Sequence, residues 1–234
     1  MEGAPARPRR RGQDPLERSG ARAGEVTGAT WADAHADRSR TDTLRAVAEA
    51  AETKFGIVDL KARTWHLPDT KNQREHTIHL SDYTAQLLSK LRSITGSFAF
   101  LFPASNLDNA NNRSVCLKTV TKQVADRQRG AGEPMQGRSK DTNALELAGG
   151  KWTPHDLRRS FETGVIALGV LPEIAHKCTN HQEQDKVKRT YQVAAVYAKP
   201  MRQAWELWGG HMELLSAKAQ GKLGNVILMP AKSA

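Results

Sequence analysis

Apolar positions are spread unevenly along the 234 residues. The first forty offer almost nothing to bury: Ala, Arg, Gly and Asp dominate "MEGAPARPRRRGQDPLERSGARAGE". Such a composition cannot offset the entropy of ordering it, so residues 1–42 are expected to form a flexible segment. From Thr43 to Phe55, "TLRAVAEAAETKF" is rich in helix formers and predicts a short helix. Two strands follow, Arg63 to Leu67 and His76 to Leu80. The second places His76, Ile78 and Leu80 on one face and Thr77 and His79 on the other. The turn formers of "PDTKNQR" between them predict a hairpin. Ser81 then suits the N-cap of a helix in which Leu87, Leu88 and Leu91 recur at helical spacing. "SFAFLFPAS" predicts a short buried stretch ended by Pro103. "SVCLKTVTKQVADR" predicts an amphipathic helix with Val115, Val120 and Val124 facing inward. The polar, Gly-rich "RGAGEPMQGRSKDTNALELAGGK" predicts a long loop.

From Trp152 the texture changes. Thr153 is an N-cap residue, Pro154 fits the first helical position, and Asp156 complements the positive helix end. Gly169 supplies the stop. "LPEIAHKC" begins a shorter helix with Pro172 in its first turn. "DKVKRTYQVAAVY" and "PMRQAWELWGGHMELL" are two further helix candidates, the second with Trp205, Leu207 and Trp208 as an apolar face. The residues from Ser216 to Ala234 carry mixed signals and are treated as a tail. The predicted class is α+β, mainly helical, with a small antiparallel sheet.

Charge narrows the partners. A net charge of +10 and a pI near 9.8 attract polyanions, of which nucleic acid is the commonest. Cys116 and Cys178 are the whole cysteine content, which argues against a disulfide scaffold and for a reducing, cytoplasmic setting. No run approaches the roughly 20 apolar residues that span a bilayer. The basic N-terminus has no apolar run behind it of the kind a secretory signal carries.

The candidate chemistry lies in "WTPHDLRRSF". His155 and Arg158 are three apart and share a helix face, while Arg159 is roughly 100° further round. Leu157 and Phe161 are expected to anchor the opposite side. An imidazole and a guanidinium near a helix N-terminus suit a phosphate, although the same pair also suits a solvated helix face. His181 follows "CTN", and Tyr191 comes ten residues later, after Lys186, Lys188 and Arg189. A phenol with a pKa near 10 becomes a useful nucleophile where cations stabilise the charge on the phosphate it attacks. A metal centre is not expected. His176, Cys178 and His181 in "HKCTNH" lack paired CxxC ligands, and His76 and His79 sit three apart on a strand and face opposite ways.

"WTPHDLRRSFETGVIALGVLPEIAHKCTNH", "KRTYQ" and "YAKPMRQAWELWGGHM" together resemble the C-terminal part of phage-type integrases, the tyrosine recombinases. "HDLRRSF" is similar to that family's His-x-x-Arg signature, and "TNH" to its Leu-Gly-His or Leu-Asn-His element. "IVDLKARTWHLPDTKNQREHTIHLSDYTAQLL" is similar to its hairpin, and the match runs from about Gly56 to about Leu215. The resemblance implies the tyrosine recombinase catalytic fold over residues 43–215, partial at its start, with a tail at 216–234. It implies site-specific recombination of double-stranded DNA by a homo-tetramer on paired sites, without ATP, cofactor or metal. Tyr191 would attack the scissile phosphate and form a 3′-phosphotyrosyl link. Arg158 would hold the non-bridging oxygens, His155 would move the phenol proton, and His181 would donate to the phosphate. Lys71 at the hairpin tip would protonate the leaving 5′-oxygen. Tyr197 resembles a second family tyrosine that packs rather than reacts. The family's first arginine lies in a Gly-x-Arg-x-Gly-Glu element that would fall near Ala46. Here the sequence is "TLRAVAEAAE", with Arg45 one position off, Glu49 in place and the glycines missing. The family's usual N-terminal DNA-binding domain is not visible ahead of it. Either Arg45 substitutes after a local shift or this arginine is absent, and the alternative reading is a catalytically impaired remnant that binds DNA without cleaving it.

Overall fold

The computed structural model describes residues 26–32, 56–68, 70, 74–104, 113–130, 136–181 and 194–222. Within them one sheet holds β1 (Thr30–Trp31), β2 (Ile57–Asp59), β3 (Thr64–Leu67) and β4 (His76–His79), side by side in that order. The helices are α1 (Asp82–Thr95), α2 (Leu117–Asp126), α3 (Pro154–Ala167), α4 (Pro172–Cys178) and α5 (Ala194–Ala219). The class is α+β, as expected.

The hairpin forms where the alternating pattern put it. β3 and β4 are antiparallel, with Trp65 opposite Ile78 and His66 opposite Thr77. The Leu80 amide donates to the Arg63 carbonyl at 2.8 Å just beyond the strand ends, and Arg63 itself adopts a left-handed φ of 58°. His76 and His79 were expected on opposite faces. Both nevertheless reach α5, His76 edge-on to Trp205 and His79 through Glu206 Oε1 at 2.6 Å, because that helix packs along the strand.

Two expectations are corrected. The sheet is mixed, since β1 runs parallel to β2 with Thr30 opposite Ile57 and Trp31 opposite Val58. Residues 26–32 also do not belong to a flexible segment: Trp31 is 1% exposed and belongs to the main core. The Trp31 amide donates to the Ala99 carbonyl at 3.2 Å, and the Leu101 amide to the Ala29 carbonyl at 3.0 Å. The anticipated buried stretch Ala99–Leu101 thus holds β1 along its free edge. One large aromatic beside small neighbours suffices to place a seven-residue piece in the core, and composition averaged over forty residues hides it. The remainder of 1–42 and the helix expected at 43–55 lie outside the described residues.

Val58, Leu80, Ala85, Phe100 and Leu101 complete that core with Trp31, and Leu88 and Leu91 of α1 lean on it. Ser81 caps α1, its hydroxyl oxygen accepting from the Thr84 amide at 3.3 Å. Leu87, which shares the helical spacing of Leu88 and Leu91 in the sequence, is exposed. After α2, whose Val120 and Val124 are half-buried, the long loop is pinned by polar groups. The buried Asp126 carboxylate accepts from Arg138 at 2.6 Å. The Gln128 side chain brackets Trp152, donating to its carbonyl at 2.8 Å and accepting from its amide at 2.7 Å. This clamp delivers the chain to the start of α3.

The end of the first expected C-terminal helix, from Ala194, and the whole of the second form one helix, α5, with Pro200 inside it; the earlier part of the first lies outside the described residues. The tail boundary expected after residue 215 falls in its last turn, because the helix continues to Ala219. Two glycines permit its close approach to its neighbours. A Cβ on Gly164 would lie 2.2 Å from the Trp208 ring, and one on Gly209 would lie 2.1 Å from Ser81 Oγ. Among the described residues no helix is long and apolar enough to cross a membrane.

Candidate functional site

α3 begins as the sequence reading expected. The Thr153 amide donates to Asp156 Oδ2 at 2.9 Å and the Thr153 hydroxyl to the same oxygen at 2.8 Å. The Thr153 hydroxyl, its amide and the nearby Arg159 hold the Asp156 carboxyl below its ordinary pKa. His155 and Arg158 lie one turn apart on this helix and are both half-buried. The expected anchoring is corrected: Leu157 is 58% exposed, and Phe161 makes the apolar contact, edge-on to Trp208 with ring centroids 5.7 Å apart. The helix therefore turns its 157 position towards a cavity of about 610 Å3, which Arg158, Thr179, Asn180, Trp65 and Trp205 also line.

α4 ends in a turn that sets up His181. The Asn180 amide donates to the Lys177 carbonyl and the His181 amide to the His176 carbonyl, both at 2.9 Å, while Asn180 adopts a φ of 52°. This is the paired closure of a helix ended by a left-handed residue. Asparagine tolerates that conformation because its short polar side chain finds local partners. "TNH" is thus the cap, the left-handed residue and the first residue beyond it. The position that the resemblance fills with Gly or Asn is the one where the backbone requires either.

Three bonds draw separate segments to this turn. The Arg158 guanidinium donates to the Thr179 carbonyl, joining α3 to the chain two residues before His181. The Asn180 side-chain Nδ2 donates to the Thr70 hydroxyl at 3.0 Å, and Thr70 in turn donates to the Arg74 carbonyl at 2.9 Å. His76 Nε2 lies 3.2 Å from the Cys178 carbonyl. Arg158, the His181 turn and the hairpin are thereby brought together, and His155 accompanies Arg158 on its helix. Lys71, which follows Thr70, lies outside the described residues, as do Tyr191 and Arg45. The His181 side chain is 47% exposed and accessible from solvent. Tyr197 is half-buried against the cluster of Ile174, Cys178 and Ala204, with Lys177 Nζ 5.2 Å from its ring centroid.

Sequence reasoning missed Glu162. Its Oε1 lies 3.0 Å from His176 Nε2 and 3.8 Å from His181 Nδ1. The signal was present, since Glu162 follows Arg158 by four residues and shares its face. The spacing to 176 and 181 carries no pattern that a sequence reveals. Cys178, considered as a metal ligand with those histidines, is buried with its sulfur 3.8 Å from the Met201 carbonyl, and burial pushes its thiol up to about 12.

Residues 40–196 match the family described as "Phage integrase family". Prophage integrase IntA of Escherichia coli (strain K12) is 25% identical over 167 residues, 70% of this chain. The chain spans 35% of that relative's length. No solved structure matches it. With well over half of its residues inside the matched region, the chain belongs to the phage integrase family.

Proposed function

We propose that this chain cleaves and rejoins duplex DNA at specific sites through a 3′-phosphotyrosyl intermediate, within a homo-tetramer assembled on paired sites. Tyr191 attacks the phosphorus, its proton passing to His155, and the 5′-oxygen leaves with a proton from Lys71. Arg158 and His181 neutralise the charge that develops on the non-bridging oxygens. The bond energy stays in the phosphotyrosine, so a second DNA hydroxyl can reverse the step and rejoin strands. Integration of a mobile element is the biological setting, in keeping with the relative named as a prophage integrase.

One observation carries the reading: the Arg158 bond to the Thr179 carbonyl brings a guanidinium from α3 to the turn that presents His181. A guanidinium and an imidazole 23 residues apart in the chain are thus neighbours, which supports their use on one phosphate. The +10 charge supplies the long-range attraction to the duplex.

The test is a suicide DNA substrate nicked beside the scissile phosphate, with covalent protein–DNA species resolved on a denaturing gel. Tyr191→Phe is expected to abolish the adduct. Tyr197→Phe, which keeps the packed ring, is expected to leave it intact. Arg158→Ala is expected to slow its formation about 10²–10³-fold, the usual loss for one transition-state donor. Salt-sensitive binding with no adduct from the unaltered chain would establish the non-cleaving alternative, which the missing glycines around Arg45 favour.

A further inference from the structure

We propose that Glu162, His176 and His181 form a binding site for a divalent transition-metal ion of the zinc class. Their ligating atoms all lie within 4.8 Å of one another. Glu162 Oε1 is 3.0 Å from His176 Nε2 and 3.8 Å from His181 Nδ1. A tetrahedral ion bound at about 2.0–2.1 Å holds neighbouring ligand atoms about 3.3–3.4 Å apart. The two carboxylate–imidazole separations fall on either side of that value and the third is within 4.8 Å, so binding an ion requires side-chain rotations that draw the imidazoles together.

The backbone places the donors. His176 lies in the last turn of α4, and the His181 amide returns to the His176 carbonyl at 2.9 Å, so the same turn that ends the helix sets the two imidazoles side by side. Their ring centroids are 5.6 Å apart and the planes are tilted by 48°. Glu162 comes from the facing helix, its side chain 19% exposed. Two imidazoles and one carboxylate suit zinc, cobalt or nickel, whereas magnesium and calcium prefer oxygen throughout. The imidazoles are 53% and 47% exposed, which lets an ion enter and leaves its fourth position to water. The buried Cys178 thiol takes no part.

His181 is shared with the DNA reaction proposed above, but the metal site stands on its own geometry and its readout is spectroscopic. Cobalt(II) titrated into the full chain at neutral pH is expected to give the intense visible band of a tetrahedral ion, without a thiolate charge-transfer band, and zinc is expected to displace it. His176→Ala and Glu162→Gln are each expected to lose the band while retaining the far-ultraviolet circular dichroism of the unaltered chain. His66→Ala, remote in role and bonded to Thr77, is expected to keep it. Zinc is expected to raise the melting temperature of the unaltered chain and not that of His176→Ala. Absence of the band, its persistence in both variants, or a charge-transfer band from a cysteine would overturn the proposal. Failure of the DNA-cleavage test would leave each of these outcomes readable.

Discussion

Around the sheet, eight side chains drawn from Ala29 to Leu101 pack into one buried cluster. In the helical half the buried cluster comprises Ile174, Cys178 and Ala204, with Phe161, Tyr197, Met201 and Trp205 partly open beside it. What the second half lacks in apolar burial it replaces with directed polar bonds. Arg158 reaches Thr179, Asn180 reaches Thr70, His76 reaches the Cys178 carbonyl, and Glu206 joins His79 to the first amide of α1. Non-directional burial stabilises without fixing angles, whereas a hydrogen bond weakens steeply once its geometry is lost. The sheet half is therefore built for stability and the helical half for the placement of particular atoms.

Substitutions can break or sharpen that contrast. The largest effect is expected from Trp31→Ala in the sheet core, a loss of about 3–5 kcal/mol in urea unfolding; a loss below about 1 kcal/mol would mean that β1 contributes little to the fold. Gly164→Ala in the helical half forces a methyl group against the Trp208 ring and is expected to cost about 1–3 kcal/mol by the same measurement. At the left-handed position, Asn180→Ala is expected to be about 1–2 kcal/mol less stable than Asn180→Gly. Equal stabilities would show that the turn before His181 is not conformationally demanding. Thr153→Ala is expected to have the smallest effect, about 1 kcal/mol, through loss of a capping residue. The pH dependence of that last difference follows from Asp156, whose carboxyl is held below its ordinary value of 3.8 in the folded chain. A depressed carboxyl stabilises fully above its unfolded pKa and loses that contribution as the pH falls through the folded one. The gap between the unaltered chain and Thr153→Ala is therefore expected to be constant near neutrality and to shrink below pH 3.8.

The same contrast separates what the sequence revealed from what it did not. Helix starts were legible because local chemistry writes them: Ser81 before α1, Thr153, Pro154 and Asp156 at α3, and Pro172 at α4. The hairpin was legible from alternation and its turn residues. β1 and β2, two and three residues long, are too short for any period to declare itself, and their pairing spans 27 residues. In the site, the types and order of His155, Arg158 and His181 suggested a phosphate, but the bonds that assemble them could not be read. Arg158 to a backbone carbonyl, Asn180 to Thr70 and Glu162 to two imidazoles all depend on which helix faces which. Leu157 misled for the same reason, since an apolar residue on a helix does not say whether its face meets a core or a cavity.

Pro200 stands seventh in the 26-residue α5 and has no amide hydrogen to give to the Val196 carbonyl. One rung of the ladder is missing there, so flexing the helix at that level costs less than at any intact turn. Beyond it, Ala204, Trp208 and Gly209 are wedged between α1, α3 and α4. Ahead of it, Tyr197 packs against Ile174, Cys178 and Ala204, so both sides of the missing rung are fastened to the same cluster.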